Sequence, residues 1–446
     1  MIVDLVLSNA KAYVDGKLVD CSLSVDDGKI VKIGKEATMP KADTALDLRN
    51  LVVLPGLIDA HVHLRDEGKA REEDFYTGTA AAAVGGMTTV LDMPNNDPIT
   101  MNVETLRNRM RIAENKILVN VGFFSEFPED TEEIKKIVHE GAIAFKLFMA
   151  EQVGGLNIDD DSALLKGFKI VSSMKTLVAA HAEDRATIRE AEERLKRTKR
   201  SDVDAFLDAH NESAEVKAIK RLVNITKRAG SRLHFCHVST KEGSRAIIDG
   251  KKSQVPVSCE VTPHHLFLSA NELRTIGKTA ITMPPIREEP HQAALWDGIR
   301  NGWIDIVASD HAPHTLEEKQ AKNIWDVKVG IAGLETILPL LLTAVNHGRL
   351  SLADLVRLMA EKPSEIFRLE GKGRVEEGNG ADLTIVDLKS KYKIDAAKFH
   401  SKAKFSPFDG WVVEGKPVKT FVGGRLIMDE GEIVAEAGSG QIIRRE

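Results

Sequence analysis

The sequence predicts an α/β fold: a (β/α)8 TIM barrel carrying a small discontinuous β-sandwich formed by the N- and C-terminal segments. Three observations predict it. From about residue 51, strand-like apolar runs alternate with helix-like segments eight times, and such alternation means a parallel sheet. No Gly-x-Gly-x-x-Gly follows any of these runs, which disfavours an open doubly wound sheet. On either side of the region the alternation gives way to short β-rich runs separated by turns.

Residues 1–54 are expected to be the N-terminal part of the sandwich. Runs 2–7, 12–14, 23–25 and 30–33 are β-rich, and Asp15-Gly16 and Asp27-Gly28 are hairpin turn signals. Residues 375–446 are expected to supply the rest, from runs 381–386, 411–413, 418–421, 425–427 and 432–434 with Gly423-Gly424 as a turn. Each end alone is too small for a good core, so the two are expected to pair.

Residues 55–374 are expected to form the barrel. Run 51–54 ends in Pro55-Gly56 and reads as a buried strand leading into the stretch 57–66. The Ala-rich segment 75–85 reads as a helix ended by Gly85-Gly86. Later strands are 87–93, ending at Pro94-Asn95-Asn96, then 117–124, 143–149 with Lys146, and 177–180 ending at His181. The last three are 233–238 with His237, 255–261 ending at Thr262-Pro263-His264-His265, and 303–308 ending at Ser309-Asp310-His311. Helices at 103–115, 131–139, 161–174, 214–229, 243–248, 291–300, 334–345 and 352–360 complete the series. The mixed acidic and basic stretch 185–200 reads as a solvated helix face.

Composition narrows the function classes. The chain has 446 residues, 43% of them hydrophobic, which suffices for a large core. A formal net charge of -6 gives no electrostatic reason to expect nucleic acid or an anionic membrane as partner. Three cysteines make neither a disulfide framework nor a Cys-x-x-Cys metal site. With no signal-peptide pattern at the start, a reducing, cytoplasmic setting is expected. No apolar run approaches the ~18 residues of a membrane span.

The chemistry centres on His61-Val62-His63. Side chains alternate along a strand, so the two imidazoles share a side and can hold one metal ion. Two core histidines bonded locally are the alternative. His61 and His63 come from strand one, Lys146 from strand four, His181 from five, His237 from six and Asp310 from eight. A barrel converges its C-terminal strand ends on one face. Four histidines and an aspartate there fit one or two divalent ions, with Zn2+ the default. Lys146 sits in an apolar run and is costly to bury charged. It is either paired with a carboxylate or an amine able to react with CO2 and bridge two metals as a carbamate. Cys236 and Cys259 read as inert buried thiols. His264 and His265 either orient metal ligands or simply pack, and His210, His291 and His400 read as ordinary surface or loop histidines. The Gly-containing segment 329–333 is either a backbone approach to the substrate or a plain loop.

Several longer motifs carry a resemblance: His61-Val62-His63-Leu64-Arg65-Asp66, Met93-Pro94-Asn95-Asn96-Asp97-Pro98 and Phe145-Lys146-Leu147-Phe148. Further on come His237-Val238-Ser239-Thr240, Glu260-Val261-Thr262-Pro263-His264-His265-Leu266 and Asp310-His311-Ala312-Pro313-His314. The chain resembles the amidohydrolase superfamily and, within it, the dihydroorotase family of ring-closing hydrolases in pyrimidine synthesis. The resemblance implies two divalent ions, Zn2+ by default, bridged by N6-carboxylated Lys146. It implies His61, His63 and Asp310 as ligands of the more buried ion, and His181 and His237 as ligands of the second. It implies Asp310 as general acid and base, Arg65 and Asn95 as holders of the substrate α-carboxylate, and His314 as a further substrate-binding residue. The implied reaction is reversible hydrolysis of (S)-dihydroorotate to N-carbamoyl-L-aspartate, with a small molecule as partner. A homo-oligomer or a complex with another pyrimidine-pathway enzyme is compatible with the resemblance.

The chain departs from the family at two positions. Glu67 stands where the family often has Pro. Met283 stands before Pro284-Pro285, where many dihydroorotases place a substrate-contacting Asn. An allantoinase- or hydantoinase-type hydrolase is therefore the rival expectation. A non-catalytic scaffold relative is another, but it should lack several ligands, and this chain lacks none.

Overall fold

The β-rich ends of the chain meet in one sheet. The computed structural model describes residues 2–445. Nine strands build this sheet, in the order Glu432–Ile433, Arg425–Asp429, Val412–Val422, Leu383–Lys393, Val52–Pro55, Ile2–Val14, Lys17–Asp26 and Lys29–Gly34, with Lys41–Asp47 beside Ile2–Val14. Asp15 and Gly16 (φ +48° and +80°) close the first hairpin, and Asp27 and Gly28 (φ +48° and +70°) close the second. Positive φ at both central residues is what a type I′ hairpin requires. The N- and C-terminal strands join where Val52–Pro55 runs antiparallel to Leu383–Val386. Leu5, Leu23, Val53, Leu383 and Phe421 share the core beneath that joint.

One expectation needs correcting here. Run 51–54, read above as the strand leading into the histidine pair although it lies within segment 1–54, pairs in this terminal sheet and is not the strand that bears the histidines. The first barrel strand is Leu57–Val62. Gly56 makes the crossing between the sheets. A Cβ there would lie 2.3 Å from Thr88 Oγ1 and 2.7 Å from Asp382 Cβ, so the passage admits no side chain.

The barrel strands are Leu57–Val62, Met87–Asp92, Asn120–Glu126, Ala144–Phe148, Leu177–His181, Arg232–Phe235, Val257–Val261 and Ile306–Val307. They lie in sequential order, and every pairing between them is parallel. A bridge between Val62 and His311 brings the last strand back to the first, with His63 N donating to His311 O at 2.8 Å. Both faces of the strands are covered, which is why they read as continuous apolar runs. The chain's last strand, Ile442–Ile443, pairs parallel with Asn120–Glu126 at the barrel.

Helices follow the strands. Asp74 caps Phe75–Val84 by accepting from Thr77 N at 2.8 Å. The charged stretch after strand five folds as Arg185–Arg197 and Val203–Ala209. It is solvated on one face only: Ile188, Ala191, Leu195 and Phe206 are buried. Burying each larger aliphatic or aromatic side chain contributes about 1.5–3 kcal/mol, enough to hold this excursion against the barrel mouth. Among the described residues no helix is long and apolar enough to cross a membrane.

Candidate active site

A cavity of about 340 Å3 opens at the C-terminal ends of the barrel strands. His61, His63, Lys146, His181, His237, Asp310, Arg65, Asn95 and His314 all line it. Their local backbone differs from the plain strand ends read from sequence. His61 lies within its strand, whereas His237 and Asp310 lie two and three residues past theirs. Arg65, His237 and Asp310 adopt φ of +61°, +33° and +47°. For non-glycine residues this left-handed region costs of order 1–3 kcal/mol and is concentrated at functional sites.

Three of the four imidazoles are held by one nitrogen and point the other inward. His61 Nδ1 bonds to Glu260 Oε1, and its Nε2 lies 3.3 Å from Asp310 Oδ1. His63 Nδ1 is 2.6 Å from Asn95 Oδ1, and its Nε2 is also 3.3 Å from Asp310 Oδ1. His181 Nε2 is 2.9 Å from Glu183 Oε2, and its Nδ1 is 3.1 Å from His237 Nε2. Buried His237 Nδ1 has no hydrogen-bond partner among the described residues. Orientation of one ring nitrogen by an acid or amide is the arrangement found behind metal-binding histidines. Ligand atoms of His61, His63 and Asp310 lie within 4.8 Å of one another. An inward set of imidazole nitrogens and a carboxylate oxygen fits a divalent ion such as Zn2+.

Lys146 is fully buried, with Nζ 3.2 Å from His61 Nε2 and 3.2 Å from Cys236 Sγ. Among the described residues no carboxylate pairs with it, so the simple ion-pair alternative does not hold. Cys236 is no counter-ion, because burial pushes its thiol up to about 12 and keeps it neutral. Cys259 behaves alike, also raised by burial to about 12.

The electrostatics suit cation ligands. Burial lowers His61, and lowers His63 and His237 well below the ordinary imidazole range, leaving neutral rings with free lone pairs. Burial works to raise Glu260, but the imidazoles of His61 and His234 outweigh it and hold the carboxylate ionised. Glu183 is the same case, with His210 and His181 opposing the effect of burial. Asp310 is raised, burial being the largest cause.

Sequence reasoning missed Glu183, Glu260 and His210 as members of the site. Glu260 Oε2 also takes His234 Nε2 at 3.0 Å, and its Oε1 accepts from His237 N at 3.1 Å. An acid in the apolar strand 257–261, and another two residues past His181, were the available signals. His210 is buried, lies 3.3 Å from Glu183 Oε1 and lines the cavity, so it is not an ordinary loop histidine. Its nearest sequence signal, the charged stretch, points the other way. His291 is buried too, bonded to Glu212 at 2.7 Å. His265 bonds to Thr262 Oγ1 at 2.7 Å and Pro284 O at 3.3 Å, so both ring nitrogens are committed to groups other than the candidate ligands. Asn95 commits its oxygen to His63, so its amide nitrogen is not used in that contact. Arg65 Nη2 stands 3.1 Å from His314 Nε2, while Met283, Val329 and Gly330 complete this side of the cavity.

A parallel barrel that gathers imidazoles, a lysine and an aspartate in one strand-end cavity defines a class of enzyme, the metal-dependent hydrolases. The chain belongs to the amidohydrolase family, whose model matches residues 52–427. It is 39% identical over 443 residues to a dihydroorotase of Methanothermobacter thermautotrophicus, covering 99% of this chain and 98% of that one. A dihydroorotase of Pyrococcus abyssi is 37% identical over 448 residues, covering 99% of each. Among solved structures, the L-hydantoinase (dihydropyrimidinase) from Arthrobacter aurescens superposes with a TM-score of 0.96 at 33% identity, covering 99% of this chain and 100% of the other.

Proposed function

We propose that this protein is a dihydroorotase, interconverting (S)-dihydroorotate and N-carbamoyl-L-aspartate on the route to UMP. The observation that carries it is the contact between Arg65 and His314, at 3.1 Å, in the wall of the cavity that holds the His, Lys and Asp cluster. A planar guanidinium fork matches a carboxylate, and dihydroorotate bears one on the ring carbon two bonds from its scissile amide carbonyl. The dihydroorotase relatives, matched over nearly their whole length, support the same assignment.

His61, His63 and Asp310 would hold one divalent ion and His181 and His237 a second, with Lys146 between them. Zn2+ suits this donor set. Bound there, such ions supply Lewis acidity that lowers the pKa of water and polarises a carbonyl. Lys146 would serve as its N6-carboxylated form: its Nζ joins CO2, a proton leaves, and an anion replaces a buried amine that no carboxylate partners. Arg65, Asn95 and His314 orient the ring through its carboxylate. Asp310 takes a proton from the attacking water and delivers it to the departing ring nitrogen. Its left-handed backbone and its contacts with His61 and His63 support this reading by fixing the carboxylate in the cavity. Residues 55–374 would form the catalytic unit, flanked by 1–54 and 375–446. A reducing, cytoplasmic setting fits the three free cysteines.

A hydantoin-type hydrolase is the second reading. It is favoured by Met283, an apolar residue in the cavity wall, and by the likeness to L-hydantoinase. One experiment decides: kcat/KM for cyclisation of N-carbamoyl-L-aspartate and hydrolysis of dihydroorotate, measured beside allantoin and hydantoin. Higher kcat/KM on allantoin or hydantoin than on dihydroorotate would overturn the assignment.

A further inference from the structure

Three buried polar atoms without hydrogen bonds among the described residues lie together beside the cavity: Arg65 Nε, Glu72 Oε2 and His314 Nδ1. Glu72 Oε2 is 3.3 Å from Arg65 Nε and 3.1 Å from His314 Nδ1. Glu72 lies on the loop between the first barrel strand and helix Phe75–Val84, and its side chain is 13% exposed. It belongs to none of the motifs that identify the catalytic cluster. Yet among the described residues it is the carboxylate that pairs with Arg65. Glu318 Oε2 stands farther off, 3.7 Å from His314 Nδ1, and is already used by Thr315 N and Oγ1 at 2.8 and 2.9 Å.

The chemistry of the ring ties the three groups into one chain. A carboxylate facing His314 Nδ1 favours the proton on that nitrogen. Nε2, 3.1 Å from Arg65 Nη2 and 3.0 Å from Val329 O, carries the link from Glu72 through the ring to the guanidinium and the cavity wall. Glu72 also faces the Nε edge of Arg65, which leaves the Nη1 and Nη2 edge to meet an incoming carboxylate.

We propose that Glu72 is a positioning residue that determines specificity: it holds Arg65 and His314 as one clamp, so that the cavity prefers ring substrates bearing a carboxylate. This rests on the dihydroorotase assignment. Contacts that act only on the carboxylate move the preference between substrates, whereas a general structural defect lowers every activity together.

The test compares dihydroorotate with 5,6-dihydrouracil, the same ring without the carboxylate, in the wild type, Glu72→Gln and Glu72→Asp. The expected result is a fall of about tenfold, about 1.4 kcal/mol, in the ratio of kcat/KM for dihydroorotate to that for dihydrouracil. That fall should be carried by KM for dihydroorotate, with bound metal and unfolding midpoint unchanged. Glu72→Asp keeps the charge but withdraws it by one methylene, and should shift the ratio the same way by less. It gives a test even if Glu72→Gln does not fold. An unchanged ratio, or equal losses on both substrates, overturns the role of Glu72. A wild type that ignores dihydroorotate while turning over dihydrouracil instead overturns the dihydroorotase assignment.

Discussion

His181 presents Nδ1 to the cavity because Glu183, two residues on, holds its Nε2 at 2.9 Å. The same carboxylate reaches His210 Nδ1 at 3.3 Å, so it is fixed at both oxygens. Glu183→Gln should keep the fold but loosen the ring. Loss of an orienting partner of this kind costs about 10–100-fold in metal affinity. Titration of the purified variant against a competing chelator measures it, and wild-type affinity would show that Glu183 only fills space.

Lys146 touches His61 and Cys236 and, among the described residues, has no acidic partner. Lys146→Ala should fail to retain the full metal pair and lose nearly all activity, since the proposed bridging group is gone. Small carboxylic acids added to the variant should restore part of the activity by occupying the vacated space. Elemental analysis reads the metal directly; two equivalents retained in an inactive variant would rule out a bridging role.

Arg65→Lys should retain wild-type metal content while kcat/KM for dihydroorotate falls about 10–100-fold. A compact ammonium cannot replace two parallel hydrogen bonds from a fork. Arg65 is buried, so water does not make up for the lost contacts. Unchanged kinetics on dihydroorotate would remove the carboxylate clamp from the assignment.

Lys319 is fully buried and donates to Ile281 O at 2.8 Å and Gly330 O at 2.9 Å, joining the segment before Met283 to the cavity wall. Burial pushes its pKa down to about 7, against about 10.4 in the unfolded chain. Between about pH 7 and about pH 10 the unfolded state therefore binds the extra proton, and stability rises with pH by at most about 1.4 kcal/mol per unit. The burial cost is complete below that window and relieved across it. Lys319→Met should abolish this rise, so denaturant unfolding at about pH 7 and about pH 9 should show the wild type gaining on the variant. Parallel behaviour of the two proteins at both pH values would sink the prediction.

The sequence by itself determined the alternation that makes the barrel, the pairing of the two ends and the six candidate ligands. These are local facts: an apolar period, a turn dipeptide, a histidine at a strand end. It also placed Arg65, Asn95 and His314 in one candidate site through motif likeness. It counted run 51–54 both within the N-terminal segment and as the first barrel strand, because an apolar strand reads alike whichever sheet receives it. Gly56, the residue that permits the crossing, is marked only by neighbours remote in sequence, Thr88 and Asp382. Glu183 and Glu260 stayed invisible as orienting groups for a related reason: which ring nitrogen points inward depends on what binds the other. The partners of His61 and Arg65 lie 199 and 249 residues away. Only closure of the barrel brings such groups within hydrogen-bonding distance, since those contacts depend on side-chain direction in three dimensions, which residue type and spacing do not encode.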